Sequence, residues 1–163
     1  MRKRVLISCV LSVVVFSICF YYTQQADIWK LPWEAKRVDN AKAEFLLGTY
    51  YYVGAGVEKD FAEAVKWYRK AAEQGHAPAQ YELGKCYEKG EGVEQDYTEA
   101  FKWFYKAAEQ GYIPALNYLG FCYAEGKGVT QDDTESEKWY RRATEQLTKE
   151  QEKLKKMRRN RMR

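Results

Sequence analysis

One histidine, four cysteines and three prolines are spread over 163 residues, and each scarcity closes off a class of function. A lone His76 cannot build an imidazole metal cluster, and the cysteines at 9, 19, 86 and 122 form no Cys-x-x-Cys pair. Serine is sparse and lies mainly in an apolar N-terminal stretch, and no Ser-x-x-Lys occurs, so no nucleophile stands at motif spacing from a base. The chain is accordingly read as a non-enzyme that takes no metal and no cofactor. Few Pro and Ser also argue against a long disordered region, while fourteen Tyr and five Trp supply the aromatic surface of an ordered core.

Long charge-free runs are missing except at one place. After Arg2, Lys3 and Arg4 comes VLISCVLSVVVFSICFYY, residues 5–22. As a helix this is about 27 Å long against a hydrocarbon core of roughly 30 Å, and its Val, Leu, Ile and Phe content favours insertion by roughly 3 to 7 kcal/mol. The expectation is a membrane anchor. A cleaved export signal, with Ser17 and Cys19 before the cut, is the alternative, and a soluble core helix is a third. The basic triplet places the N-terminus in the cytoplasm and everything after it outside, giving a single-pass protein or, after cleavage, a secreted or periplasmic one. Lys30, Lys36 and Arg37 weaken that orientation. Residues 23–40, with Trp29 and Trp33, read as a linker or N-terminal cap.

The net charge of +4 hides an uneven distribution. It is about +3 before residue 41, about −5 over 41–148 and about +6 in the tail 149–163. The tail, ending KLKKMRRNRMR, reads either as a solvated, fraying helix end or as a grip on nucleic acid or anionic lipid.

Between these ends the chain repeats itself. KWYRKAAEQG at 66–75 returns as KWFYKAAEQG at 102–111, and blocks of 36 residues align three units, 41–76, 77–112 and 113–148. About 20 positions of the first two units agree, which signals a repeat architecture. Each unit reads as helix, turn, helix. Ala79, Leu83, Cys86 and Tyr87 form one helical stripe, matched by Ala43, Leu47, Tyr50 and Tyr51 and by Ala115, Leu119, Cys122 and Tyr123. Pro78 and Pro114 suit a first helical turn. Gly48, Gly84 and Gly120 each cost about 1 kcal/mol in a helix interior, so close contact with the partner helix should compensate.

The turns carry Gly-x-Gly-Val from residues 54, 90 and 126, without the spacing of a phosphate loop. Asp60, Asp96 and Asp132 stand three residues before Glu63, Glu99 and Glu135, the spacing of a capping box on the second helix. That helix carries an apolar stripe of Ala64, Trp67, Tyr68 and Ala71, then Ala100, Trp103, Phe104 and Ala107, with Trp139 in the third unit and Gly75 and Gly111 closing the first two. Asp133 and Glu137 replace Phe61 and Val65, or Tyr97 and Phe101, and would be costly to bury, so the stack should end there. Leu147 replaces the closing glycine, and the last helix can run on through Leu154 and Met157.

The pattern Ala-x-Ala, Leu-Gly, Tyr, Gly-x-Gly-Val, Asp, Glu-Ala, Trp-Tyr and Lys-Ala-Ala-Glu-Gln-Gly resembles the Sel-one-like repeat, a relative of the tetratricopeptide repeat, over about two thirds of the chain. The resemblance implies an all-α, right-handed α-solenoid of antiparallel helix pairs that acts as a scaffold for protein complexes. Unit three departs from the pattern at Ser136, Thr144 and Leu147. Some exported relatives staple each helix pair with cysteines, and a few are described as penicillin-binding or β-lactam-hydrolysing. That pairing is absent here: Cys86 and Cys122 recur in successive units, about 9 Å or more apart, beyond bridging distance, and read as buried thiols.

The function expected is binding of a protein or peptide partner on the concave face lined by the first helices. The candidates are the positions off the core stripe: Phe45, Thr49, Tyr52, Tyr81, Lys85, Glu88, Asn117 and Phe121. Phe45 and Tyr81 could equally be packing residues within their own repeats. His76 reads as a loop residue. The rival function puts nucleic acid or membrane binding in the tail, with the repeats only positioning it.

Overall fold

The computed structural model describes residues 41–161, six α-helices with no strand among the described residues. The apolar segment 5–22 and the linker or cap 23–40 lie outside them. Contacts divide the chain into Met1–Asp39 and Asn40–Arg163, and the description concerns the second unit. Among the described residues no helix is long and apolar enough to cross a membrane.

The helices are α1 (Ala41–Val53), α2 (Phe61–Glu73), α3 (Ala77–Lys89), α4 (Tyr97–Glu109), α5 (Ile113–Glu125) and α6 (Asp133–Arg161). They pack in chain order, each against its sequence neighbours. The seam inside each pair is set by the glycine of the first helix. A Cβ on Gly84 would lie 2.7 Å from Phe104 Cε1, and one on Gly48 would lie 2.6 Å from Tyr68 Cδ1. The helices approach as closely as they do because a side chain is missing, and Tyr68 and Phe104 are buried against that bare backbone.

A second set of glycines fits successive repeats together. Gly90 and Gly126 end α3 and α5 in the left-handed conformation that an L side chain resists. Two residues further on, a Cβ on Gly128 would fall 2.0 Å from the carbonyl oxygen of Tyr97, and one on Gly92 would fall 2.2 Å from that of Phe61. Each turn therefore rests on the first residue of the preceding repeat's second helix. Tyr97 meets the turn through its backbone, and its ring is exposed, contrary to the inter-unit burial read from sequence, with Lys127 of the turn 6.0 Å from the ring centroid.

The capping boxes form by half. Asp60, Asp96 and Asp132 accept from the backbone N–H of Glu63, Glu99 and Glu135 at 3.0 Å each. The return bond from glutamate to the cap N–H is absent. Those N–H groups donate instead to the carbonyls of Tyr51, Tyr87 and Tyr123, and the glutamates pair with Lys66, Lys102 and Lys138. A long-range backbone bond displaces a local side-chain bond, tying each second helix to its own first helix. His76 lies in the loop between repeats, as the sequence suggests, and there it also caps α3, its Nδ1 accepting from Ala79 N at 3.3 Å.

The core runs in two clusters through Ala64, Tyr68, Ala71, Leu83 and Cys86, and through Phe104, Ala107, Leu119, Cys122 and Trp139. Trp67, Trp103 and Trp139 are buried under Lys70, Lys106 and Arg142, whose cations sit 4.0, 3.9 and 4.4 Å from the ring centroids. These cation–π contacts, one helical turn apart, shield indoles whose N–H groups find no acceptor in the protein. Gln80, which drew no notice in the sequence, is buried and donates to Ala72 O at 3.0 Å while accepting from Gln110 at 2.7 Å, locking the first two repeats together. Tyr50, Tyr51, Tyr87 and Tyr123 are half-buried, at the edge of the stripes rather than in the core.

The third repeat closes differently. Phe61, Val65 and Phe101 meet the following repeat, but their counterparts Asp133 and Glu137 are exposed. Ser136, at the place of Ala64 and Ala100, is buried and donates to Gly120 O at 2.8 Å. Without a glycine at 147, α6 runs on to Arg161, 29 residues in all, and past Gln146 every described residue is exposed.

Candidate partner-binding face

The side chains of the first helices that do not enter the core gather in two groups. Around α1, Phe45 lies with its ring centroid 5.7 Å from Tyr68 and 5.0 Å from His76. Thr49 donates to Phe45 O at 3.0 Å and accepts from the Tyr68 hydroxyl at 3.4 Å. Tyr52 stacks edge-on against Phe61 and donates its hydroxyl to Glu91 Oε2 at 2.7 Å. That bond to a carboxylate, more than burial, pushes the Tyr52 phenol well above its ordinary range. It spans the first two repeats.

The second group joins repeats two and three. Tyr81 meets Phe104 at 5.5 Å, Tyr112 at 5.6 Å and Tyr118 at 6.2 Å, and Tyr118 meets Phe121 at 5.6 Å. The rings at 81, 112, 118 and 121 are all half-buried; Tyr81, Tyr112 and Tyr118 pack against the core, and Phe121 leans on Tyr118. Lys85 pairs with Glu82 at 2.9 Å, and Lys127 with Glu88 at 3.8 Å while lying 4.8 Å from the Phe121 ring. Burial and a hydrogen bond to Glu88 drive the Tyr118 hydroxyl strongly upward. Phenols held in this way act as neutral donors and never as bases at physiological pH. The carboxylates at 82, 88 and 91 thus all have partners within the protein, and the surface offers aromatic area with its charges already matched.

Of the residues singled out in the sequence, Tyr81, Lys85, Glu88 and Phe121 come together, and Phe45, Thr49 and Tyr52 form the neighbouring group. Asn117 is exposed and takes no part in the aromatic cluster. Phe45 and Thr49 are engaged mainly with Tyr68 of their own repeat. Sequence reasoning missed Tyr112, Tyr118, Glu82, Glu91 and Lys127. Tyr118 directly follows Asn117 at the position held by Leu46 and Glu82 in the other repeats, and an aromatic replacing a charge there was the available signal.

Among the described residues no cluster of His, Cys, Asp and Glu is placed to hold a metal. Cys86 and Cys122 are buried and unbridged, and burial raises both thiols to about 12, which leaves them protonated and inert.

The Sel1 repeat model matches residues 41–76, 77–112 and 113–146. The chain belongs to the Sel1 repeat family. Sel1 repeat proteins generally serve as scaffolds for protein–protein interaction. Two solved structures are similar to it over their aligned regions: c5321, a protective antigen of uropathogenic Escherichia coli strains displaying an SLR fold, at 46% identity and a TM-score of 0.70, and a Sel1 repeat protein from Oxalobacter formigenes, at 47% and 0.64. The matches cover 73% and 66% of this Sel1 repeat chain but only 25% and 44% of those two. Helicobacter pylori cysteine rich protein B, at 21% identity and a TM-score of 0.60, shares the fold over 75% of this chain and 90% of its own. A comparison with curated proteins finds no match.

Proposed function

We propose that this Sel1 repeat protein is a non-enzymatic adaptor, membrane-tethered or exported, that captures a protein or peptide segment on its first-helix face. The observation carrying this reading is the half-open aromatic cluster of Tyr81, Tyr112, Tyr118 and Phe121, held in place by Phe104 and by charges paired across repeats. Rigid aromatic surface of this kind contributes contact area at little entropic cost, and Tyr and Phe are frequent anchors at interfaces. Because the neighbouring charges are matched internally, a partner is held chiefly by packing, and its affinity should vary little with salt.

The test is site-specific photocrosslinking in the native host. A crosslinking residue at exposed Asn117 should form adducts with a partner, and one at Lys66 or Lys102, on second helices, should not. Combining Tyr52→Ala, Tyr81→Ala and Phe121→Ala should abolish the adducts while leaving a helical circular dichroism spectrum. Adducts from the second-helix positions alone would transfer the site to the opposite surface. Reporter fusions after Tyr22 and after Arg163, with the mature mass, test the tethered or exported placement.

A further inference from the structure

From the end of α6 we infer a second interaction surface, a lipid-facing helix that docks on an anionic bilayer. Beyond Gln146 the helix leaves the repeats, and all its residues to Arg161 are exposed. Leu147, Leu154 and Met157 each lie about half open to solvent. At 100° per residue these three fall within about 80° of arc, forming one apolar stripe. Seven Lys and Arg stand between Lys149 and Arg161 against Glu150 and Glu152. Lys153 borders one edge of the stripe, and Arg158 and Lys155 the other. No ion pair with a carboxylate engages these cations among the described residues.

Three kinds of partner could cover such a helix, and the charges separate them. In a coil with a second copy, Leu147 and Leu154 would take one core position and Met157 the other. Lys153 would then face Arg158 across the seam, and Arg161 would meet its own copy in the core, so like charges oppose pairing. A nucleic acid would use the cations, but the leucines and the methionine contribute nothing to phosphate contacts. An anionic bilayer uses both sets, with the stripe entering the headgroup boundary and the long basic side chains reaching lipid phosphates from its edges. Contact with the bilayer would also stabilise a helical end that no tertiary packing supports. Glu150 and Arg161 also sit within the arc; Arg161, at the helix end, can extend its long side chain to the headgroups, whereas Glu150 works against this arrangement, which makes it a diagnostic position.

The decisive measurement is amide hydrogen exchange of the full chain with vesicles of neutral phosphatidylcholine and with vesicles carrying about one quarter phosphatidylglycerol. Residues 5–22 are present in both arms, so the reading is the difference at 147–161. Anionic vesicles should slow exchange there by about ten-fold or more, while peptides within α3 and α4 stay unchanged. Lys153→Glu with Lys155→Glu and Arg158→Glu should remove the protection, Leu154→Ser with Met157→Ser should reduce it, and Glu150→Gln should increase it. Equal exchange on the two vesicles would overturn the assignment. So would protection indifferent to the Leu154 and Met157 substitutions, or an equal effect from a single-stranded oligonucleotide, either of which would mark a general polyanion grip.

Discussion

Replacing Gly84 by alanine sets two opposite effects against each other at one atom. An alanine in a helix interior is favoured over glycine by about 1 kcal/mol, so a helix considered alone would gain. In the folded protein the new Cβ would sit 2.7, 2.9 and 3.0 Å from Cε1, Cδ1 and Cζ of Phe104. Relief needs the ring to retreat by roughly 0.7 Å to reach ordinary contact. The ring has nowhere to go: it is 1% exposed, with the Tyr118 centroid 4.3 Å away and that of Tyr81 at 5.5 Å. Overpacking of this kind costs about 1 to 3 kcal/mol before any helical gain, and more where the obstacle is rigid. We expect Gly84→Ala to destabilise residues 41–163 by about 1 to 2 kcal/mol net, a fall in Tm of roughly 5 to 10 °C for a unit of this size. Urea titrations followed by far-ultraviolet circular dichroism give the value, and a double-mutant cycle with Phe104→Leu identifies the cause. The smaller, branched side chain should restore room, so the double variant should be more stable than the sum of its parts by about 1 kcal/mol. Additivity within about 0.5 kcal/mol would refute the reasoning, as would a stabilising Gly84→Ala, since either would mean that the two helices are not held at the distance the missing side chain permits.

Two further predictions concern protonation. Burial, and secondarily Lys42, lowers the His76 pKa below its ordinary 6.5, so the folded chain favours the neutral ring that caps α3. The resulting stability is fully present above the unfolded value and is lost as pH falls through the folded one; the urea midpoint should drop between about pH 7 and pH 5.5, and His76→Asn, which keeps a capping acceptor, should flatten that slope. A slope unchanged in the variant would remove His76 from the account. Cys86 and Cys122, buried and raised to about 12, should resist iodoacetamide at pH 8 until urea unfolds the chain, with modification located by mass; labelling in native buffer at the rate of an exposed thiol would show that these positions are open.

The first-helix face was legible only in part, and the reason is visible at particular positions. Periodicity identifies which residues leave the core stripe, and so it reached Tyr81, Lys85, Glu88 and Phe121. It says nothing about which of them find partners at home. Phe45 and Thr49 are engaged by Tyr68, while Tyr112, at the junction of two repeats, joins the cluster only when α4 turns into α5. The half-formed capping boxes have the same origin: a spacing of three residues announces the Asp bond, but whether the glutamate turns back depends on a carbonyl contributed by the preceding helix.

By itself the sequence determined the repeat length, the helix pairs, the glycines and tryptophans that recur in each repeat, the exposed positions of Asp133 and Glu137, and the long last helix. These follow from local chemistry: helical period, caps, and the cost of burying charge. Only the tertiary structure decided how the repeats engage, through the Gly128 backbone on Tyr97, Gln80 on Ala72 and Gln110, and the phenols of Tyr52 and Tyr118 on carboxylates of the neighbouring repeat. Such contacts join residues far apart in the chain, and their geometry exists only once the helices have docked.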